Sequence, residues 1–400
     1  KPNWYDALNG LPGLLGSSIS ETFELKRFSM FMLSAMDQLA LTDQENVSVF
    51  AELEKFIREL TQVLTSSSDA LSYWKKSNDA KEHYRQSIRL GISGDEKSLT
   101  VGDIRKFLNL AVAKTNQGIE SARNGDDLFA TYFYHEVTDH EVLDHRHPDD
   151  SPYARPLAFK RHDLPLFLEG FVHALRAGHP QQAKALYQAV KKSELYDKKL
   201  GMYKVNVNLS SESEEIGRTR IFPPGWLENE SVWLHMEYKY LLELLRNGLC
   251  EEFFKDIQTA MVPVLDPHVY GRSILENSSF IASSAHEDES LHGQGFVARL
   301  SGSTAEFLHM WLIMNLGPRP FRLTSQGDLA LHFEPVLPSR FFTREQLTVD
   351  HLTKHKTWEK LTLPARSYAF NLMGQTLVVV HNPRLKNTFG PGRAVAKRVE

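Results

Sequence analysis

The run at 222–235 reads Phe-Pro-Pro-Gly-Trp-Leu-Glu-Asn-Glu-Ser-Val-Trp-Leu-His. A Pro/Gly turn delivers two acids, Glu228 and Glu230, an amide, Asn229, and two tryptophans, Trp226 and Trp233, to an expected helix start, with His235 one turn on. Flat rings that cover C–H faces, mixed with carboxylates that grip hydroxyls, suit a sugar. A plain helix entrance needs one capping side chain, not this density of polar groups. The same run also reads as a capped amphipathic helix with both tryptophans in the core.

Three further stretches carry chemistry. In Trp4-Tyr-Asp6-Ala-Leu-Asn9-Gly10 an aspartate stands among aromatic residues. Rings that exclude water raise a carboxyl pKa, which a general acid needs; a turn aspartate is the simpler alternative. In Glu276-Asn-Ser-Ser-Phe280 and the segment 292–304, glycines at 293, 295 and 302 allow close backbone approach. Ser301, Gly302 and Ser303 come just before a helix expected near Thr304, where free N–H groups could hold an anion. The Walker lysine and spacing are absent, and an ordinary Ser/Thr cap explains the pattern equally well. The acid- and histidine-rich stretch His135, Glu136, Asp139, His140, Glu141, Asp144, His145, His147, Asp149, Asp150 matches no HExxH or EF-hand spacing. It reads as a solvated loop bordering a cleft, and no metal or other cofactor is expected. Arg161 and Asp163 open a helix expected at Leu164, with Asp163 either capping it or contacting ligand.

These residues must be positioned by a substantial fold. The chain has 400 residues, 42% hydrophobic, enough for a large domain and a smaller one or two. A net charge of -4 without a basic stripe argues against nucleic-acid or membrane-surface partners. Cys250 is the single cysteine, so no disulfide framework or CxxC metal site is available. No apolar run reaches the ~18 residues of a membrane span, and no signal peptide is evident. A cytoplasmic location is the expectation, although Lys1 is not a natural start.

Apolar residues recur near the helical period over 20–40 and 47–64, the latter with Asp43 as its cap. Helices are also expected over 68–90, 101–123, 164–177, 180–191, 231–247, 251–261 and 304–316. Many fall in short-turn pairs, the arrangement of an (α/α) barrel. Strands are expected at 328–333, 347–352, 357–363, 367–372 and 376–380, followed by a basic, extended surface tail after Asn382. The expected architecture is therefore mainly α: a helical domain at 1–322, then a small β-rich domain at 323–400.

Taken in order, the motifs resemble the inverting β-glycoside phosphorylases related to cellobiose and chitobiose phosphorylase. The family's Gly-Asp-Trp-Asn-Asp-Gly-Met-Asn stands here at 2–9, with Trp4, Asp6 and Asn9 matching and Asn3 replacing the first aspartate. The family's Pro-Pro-Gly-x-x-Glu-Asn-Gly-Gly-x-Tyr-Thr-His falls on 223–235, with Glu230-Ser231 replacing the Gly pair and Trp233-Leu234 replacing Tyr-Thr. Its Gly-Arg-Gly-Gly-Trp-Thr-Trp-Tyr-Thr-Gly-Ser aligns without a gap on 293–303, where Gln294 replaces the arginine and Ser301-Gly302 replaces Thr-Gly. A family Lys/Arg-Ile-Asp stretch falls loosely on Arg161-His-Asp163.

The resemblance covers most of 1–340 and suggests a divergent branch near the β-oligoglucan phosphorylases. It implies an (α/α)6 six-hairpin barrel, incomplete in this chain, whose remaining part lies upstream in the same protein. It implies Asp6 as general acid, and His235, Ser301 and Gly302 as phosphate ligands. Trp4, Asn9, Arg161, Asp163, Glu228, Glu230, Glu276 and Gln294 then contact a β-linked oligosaccharide. Phosphate is a co-substrate in this reading, and a homodimer is compatible with it. Phosphate attacks the anomeric carbon with inversion and needs no base, whereas an inverting hydrolase uses a second carboxylate to activate water. Glu228 and Glu230 could serve so, making β-glucan hydrolysis the main rival. A non-catalytic carbohydrate-binding subunit is the alternative of another class.

Overall fold

A computed structural model describes residues 16–66, 69–123, 128–178, 180–298, 302–374 and 376–397. It holds ten α-helices and sixteen strands among these residues, so the architecture is mixed rather than mainly α. Contacts divide the chain into two units: Lys1–His179 with Glu212–Arg218, and Pro180–Ser211 with Thr219–Glu400. The expected boundary at 322 falls inside the second unit. Within that unit, helices do give way to β-hairpins after Leu316.

The first unit contains α1 (Ile19–Gln38), α2 (Ala51–Ser66), α3 (Ala70–Ser87), α4 (Val101–Ser121) and α5 (Leu168–Ala177). Two of these starts have a clear local cause. The Ser18 hydroxyl accepts from the Ser20 amide at 3.0 Å and begins α1, and Thr100 and Asp103 form a capping box for α4. Met36, Val101 and Leu108 form a core between α1 and α4, extended by Met32, Leu33, Ile104 and Phe107.

Three sequence expectations fail in this unit. The helix expected from Val47 begins at Ala51, because Asn46–Phe50 pairs as an antiparallel strand with Glu96–Thr100. Alternating Val47 and Val49 favour the extended chain there. Asp43 consequently caps no helix; it makes an ion pair with Arg105 at 3.2 Å. The acid/histidine stretch is not a loop either. Tyr132–Arg146 pairs with Pro152–Asp163 as a long antiparallel ribbon with register shifts between Val137 and Arg146, and Gly16–Ser18 adds a third strand. Most of the ribbon is exposed on both faces, so it lacks the in/out alternation by which strands are recognised. Finally, α5 starts at Leu168 with Phe167, not Asp163, at its cap position.

The second unit contains α6 (Pro180–Lys192), α7 (Leu234–Arg246), α8 (Cys250–Ala260), the one-turn α9 (Pro267–Tyr270) and α10 (Gly302–Leu316). Helix α7 is its spine: ten of its residues are buried, including Met236, Tyr238, Tyr240 and the run from Leu241 to Leu245, and it packs against α8 and α10. A helix apolar on most sides belongs inside a fold. A three-stranded antiparallel sheet orders Gly295–Ala298, Ser278–Ile281 and Val232–Trp233 side by side. Three separate hairpins follow: Phe321–Leu323 with Leu329–Leu331, Leu347–Leu352 with Trp358–Leu363, and Ser367–Leu372 with Thr376–His381. The segment 383–397 has no regular structure and is mostly exposed, as expected of an extended surface tail, but it is pinned at two residues. Phe389 is buried and stacks on Phe254 at 5.6 Å, and the Thr388 amide donates to the Leu337 carbonyl at 3.0 Å.

Candidate functional site

The sheet of the second unit joins three motifs that lie far apart in sequence. Val232 and Trp233 pair with Ile281 and Phe280, and those two residues pair in turn with Gly295 and Phe296. The strand of Trp233 leads straight into α7, which puts His235 in the first turn of that helix. Helix α10 begins at Gly302, two residues earlier than its Ser/Thr signals suggest. A Cβ built on Gly302 would overlap the imidazole of His235 at Nε2, Cε1 and Cδ2. The ring and the first residue of α10 are therefore in contact only because residue 302 has no side chain. An imidazole and the N-terminal amides of a helix suit an anion jointly.

The acids occupy a strained loop just before α7. Trp226 and Asn229 exchange backbone hydrogen bonds of 3.1 Å in both directions. Gly225, Leu227 and Glu230 have positive φ of 78°, 47° and 59°. A Cβ at Gly225 would come within 2.5 Å of the His286 amide nitrogen, so glycine is required there twice over. Glu230 adopts the left-handed conformation at a position where the resembled family has glycine, which costs a non-glycine residue roughly 1–2 kcal/mol.

A neighbouring segment offsets that strain. Lys204 Nζ lies 2.6 Å from Glu230 Oε1, and Asn208 Nδ2 donates to Oε2 at 2.7 Å. The Asn206 side chain accepts from the Glu230 amide at 2.7 Å and donates to the Glu228 carbonyl at 2.5 Å. Asn229 accepts from the Leu209 amide at 3.0 Å and donates to the Phe222 carbonyl at 2.8 Å. Glu228, Asn229 and Glu230 are all buried. The expectation overlooked Lys204, Asn206 and Asn208, although their alternate spacing in Lys204-Val-Asn206-Val-Asn208 was a readable sign of one polar edge.

That segment is itself anchored by a buried polar cluster. The Tyr203 amide donates to Glu237 Oε1 of α7 at 2.8 Å, and its hydroxyl donates to Asp256 Oδ2 of α8 at 2.5 Å. Lys191 Nζ of α6 meets Asp256 Oδ1 at 2.7 Å and lies 3.8 Å from the centre of the Tyr196 ring. Burial pushes the Glu237 carboxyl well above its ordinary value; the Tyr203 amide opposes this and the charge of Asp256 adds to it. Burial, followed by the neighbouring charge of Asp256, likewise raises the Tyr187 hydroxyl.

The remaining expected residues sort unevenly. Trp4, Asp6, Asn9 and Ser301 lie outside the described residues. Trp226 and Trp233 are half-buried and engaged with other rings, Trp226 with Phe296 at 4.5 Å and Trp233 stacked on Phe280 at 6.0 Å. Glu276 is exposed and held by Arg272 at 2.8 Å. Gln294 donates to the Ser290 carbonyl at 2.7 Å. Arg161 and Asp163 belong to the first unit and form an ion pair with each other. Arg161 also donates to the Ser121 carbonyl at 2.7 Å and covers the Phe133 ring at 4.4 Å, so it fastens the ribbon to the end of α4.

No family model matches the chain, and a search among curated proteins finds no match either. Among the described residues there is no group of three or more His, Cys, Asp or Glu side chains arranged to hold a metal ion. None of their helices is long and apolar enough to cross a membrane.

Proposed function

We propose that this protein is a carbohydrate-active enzyme that cleaves a β-linked gluco-oligosaccharide by inverting phosphorolysis, releasing a sugar 1-phosphate. The observation that carries the reading is the contact of His235 with Gly302. These two residues come from motifs that independently resemble the phosphate-binding motifs of the inverting β-glycoside phosphorylases, and both stand at helix N-termini. The hairpin pairing of α7 with α8 agrees with an (α/α)6 barrel as the scaffold.

In this mechanism His235, the amide end of α10 and Ser301 hold phosphate. A phosphate oxygen attacks the anomeric carbon as the glycosidic bond breaks, through an oxocarbenium-like transition state. Asp6 gives its proton to the leaving oxygen on the opposite face. Glu228 contacts the sugar from the loop before α7, and Glu230 secures that loop. Phosphate arrives as an anion, so no second carboxylate is needed. Hydrolysis would need one, and both oxygens of Glu230 are already engaged by Lys204 and Asn208.

Replacing His235 with Asn tests the assignment. The expected result is a loss of about 10²-fold or more in kcat/KM for phosphate, about 2.7 kcal/mol. An unchanged dependence on phosphate in a folded variant would remove His235 from the site and the reading with it.

A further inference from the structure

One cavity in the second unit is lined by several cations. It measures about 470 Å³, and its wall includes Lys192 at the end of α6, Lys198 and Lys199 in the turn between Tyr196–Asp197 and Met202–Tyr203, and Lys204. Two acids also line it, Glu194 and Asp197. Asp197 is 4% exposed and its charge is spent internally. It accepts from the amides of Lys199 at 3.0 Å, Leu200 at 3.1 Å and Ser284 at 2.7 Å, and from the Ser284 hydroxyl at 2.8 Å. Lys192 and Lys198 take no ion pair among the described residues. Among the described residues Lys199 faces an exposed Glu289 at 3.7 Å and His292 at 2.8 Å.

The turn thus folds its carboxylate inward while Lys198 and Lys199 stay exposed. Several flexible ammonium donors from separate elements, converging on one hollow, match a compact dianion that accepts hydrogen bonds from many directions. We infer that this hollow binds the phosphoryl group of a small anionic ligand, either free phosphate or a sugar phosphate. The site is separate from the His235–Gly302 contact and does not depend on the function assigned to that contact. It is nevertheless linked to the acidic loop, because Lys204 both lines the hollow and binds Glu230. An anion seated there competes with Glu230 for Lys204 and loosens the loop before α7.

Calorimetric titration with inorganic phosphate and with glucose 1-phosphate tests this on the wild type, His235→Asn, and the double variant Lys198→Ala/Lys199→Ala. The lysines are exposed, so the double variant folds normally. The expected result is a binding event that survives in His235→Asn and weakens about tenfold or more in the double variant. Tighter binding of glucose 1-phosphate identifies a sugar phosphate as the ligand, and tighter binding of inorganic phosphate identifies the free anion. Wild-type affinity for both probes in the double variant, or no binding event left in His235→Asn, would overturn the inference. So would the absence of binding to the wild type at millimolar probe.

Discussion

The imidazole of His235 stands where a side chain on residue 302 would have to be, so the first turn of α7 and the first residue of α10 meet across a glycine. Gly302→Ala therefore has a diagnostic sign. In an unencumbered helix this change stabilises by up to about 1 kcal/mol. Here the added methyl displaces either the ring or the helix start, and overpacking of this kind costs about 1–3 kcal/mol. A thermal melt should show a lower Tm, and turnover should lose its saturation by phosphate before it loses sugar binding. A higher Tm with unchanged phosphate dependence would mean that the contact is slack.

The Lys204–Glu230 pair is enclosed, with the two side chains 11% and 9% exposed. Removing one partner of such a pair strands the other charge and costs about 3–5 kcal/mol. Asn208 still donates to Glu230, so Lys204→Met should sit at the lower end of that range in urea denaturation. Lys204→Met combined with Glu230→Gln should recover much of the loss. Equal destabilisation in the single and double variants would show that the two groups do not act as a pair.

The sequence exposed the elements well where one period dominated. All nine expected helices begin within about four residues of an observed start, and the strands at 347–352 and 367–372 match the observed ones. It misled where two codes overlapped. Val47 and Val49 satisfy an alternating pattern and a helical one at once, and pairing with Glu96–Thr100 decides between them. The polar ribbon at 132–163 has two wet faces and so carries no periodic signal. For the candidate site, the motifs singled out His235, Gly302, Glu228 and Glu230, but not what holds them. Lys204, Asn206 and Asn208 come from a segment without a known motif, and Asp256 and Lys191 act on it from two other helices. Such support depends on tertiary contacts that a linear reading does not contain.

Glu237 predicts a distinct pH behaviour. In the unfolded chain its carboxyl ionises near the ordinary 4.5, whereas in the fold burial keeps it protonated to a higher pH. As pH rises past that ordinary value, the unfolded state loses the proton first, and stability falls until the buried group ionises too. Glu237→Gln abolishes this contribution. Unfolding free energies at pH 4 and pH 7 should show the variant gaining on the wild type at the higher pH. A difference between the two proteins that does not change with pH would mean that Glu237 is ionised in the fold.

In the proposed reaction phosphate, not water, cleaves the sugar linkage. The direct measurement is product formation from β-linked gluco-oligosaccharides, in the presence and absence of inorganic phosphate, with sugar 1-phosphate and new reducing ends followed separately. The expected result is that sugar 1-phosphate of inverted anomeric configuration appears in step with new reducing ends, and that both cease when phosphate is withheld. Reducing ends that form equally fast without phosphate would contradict it.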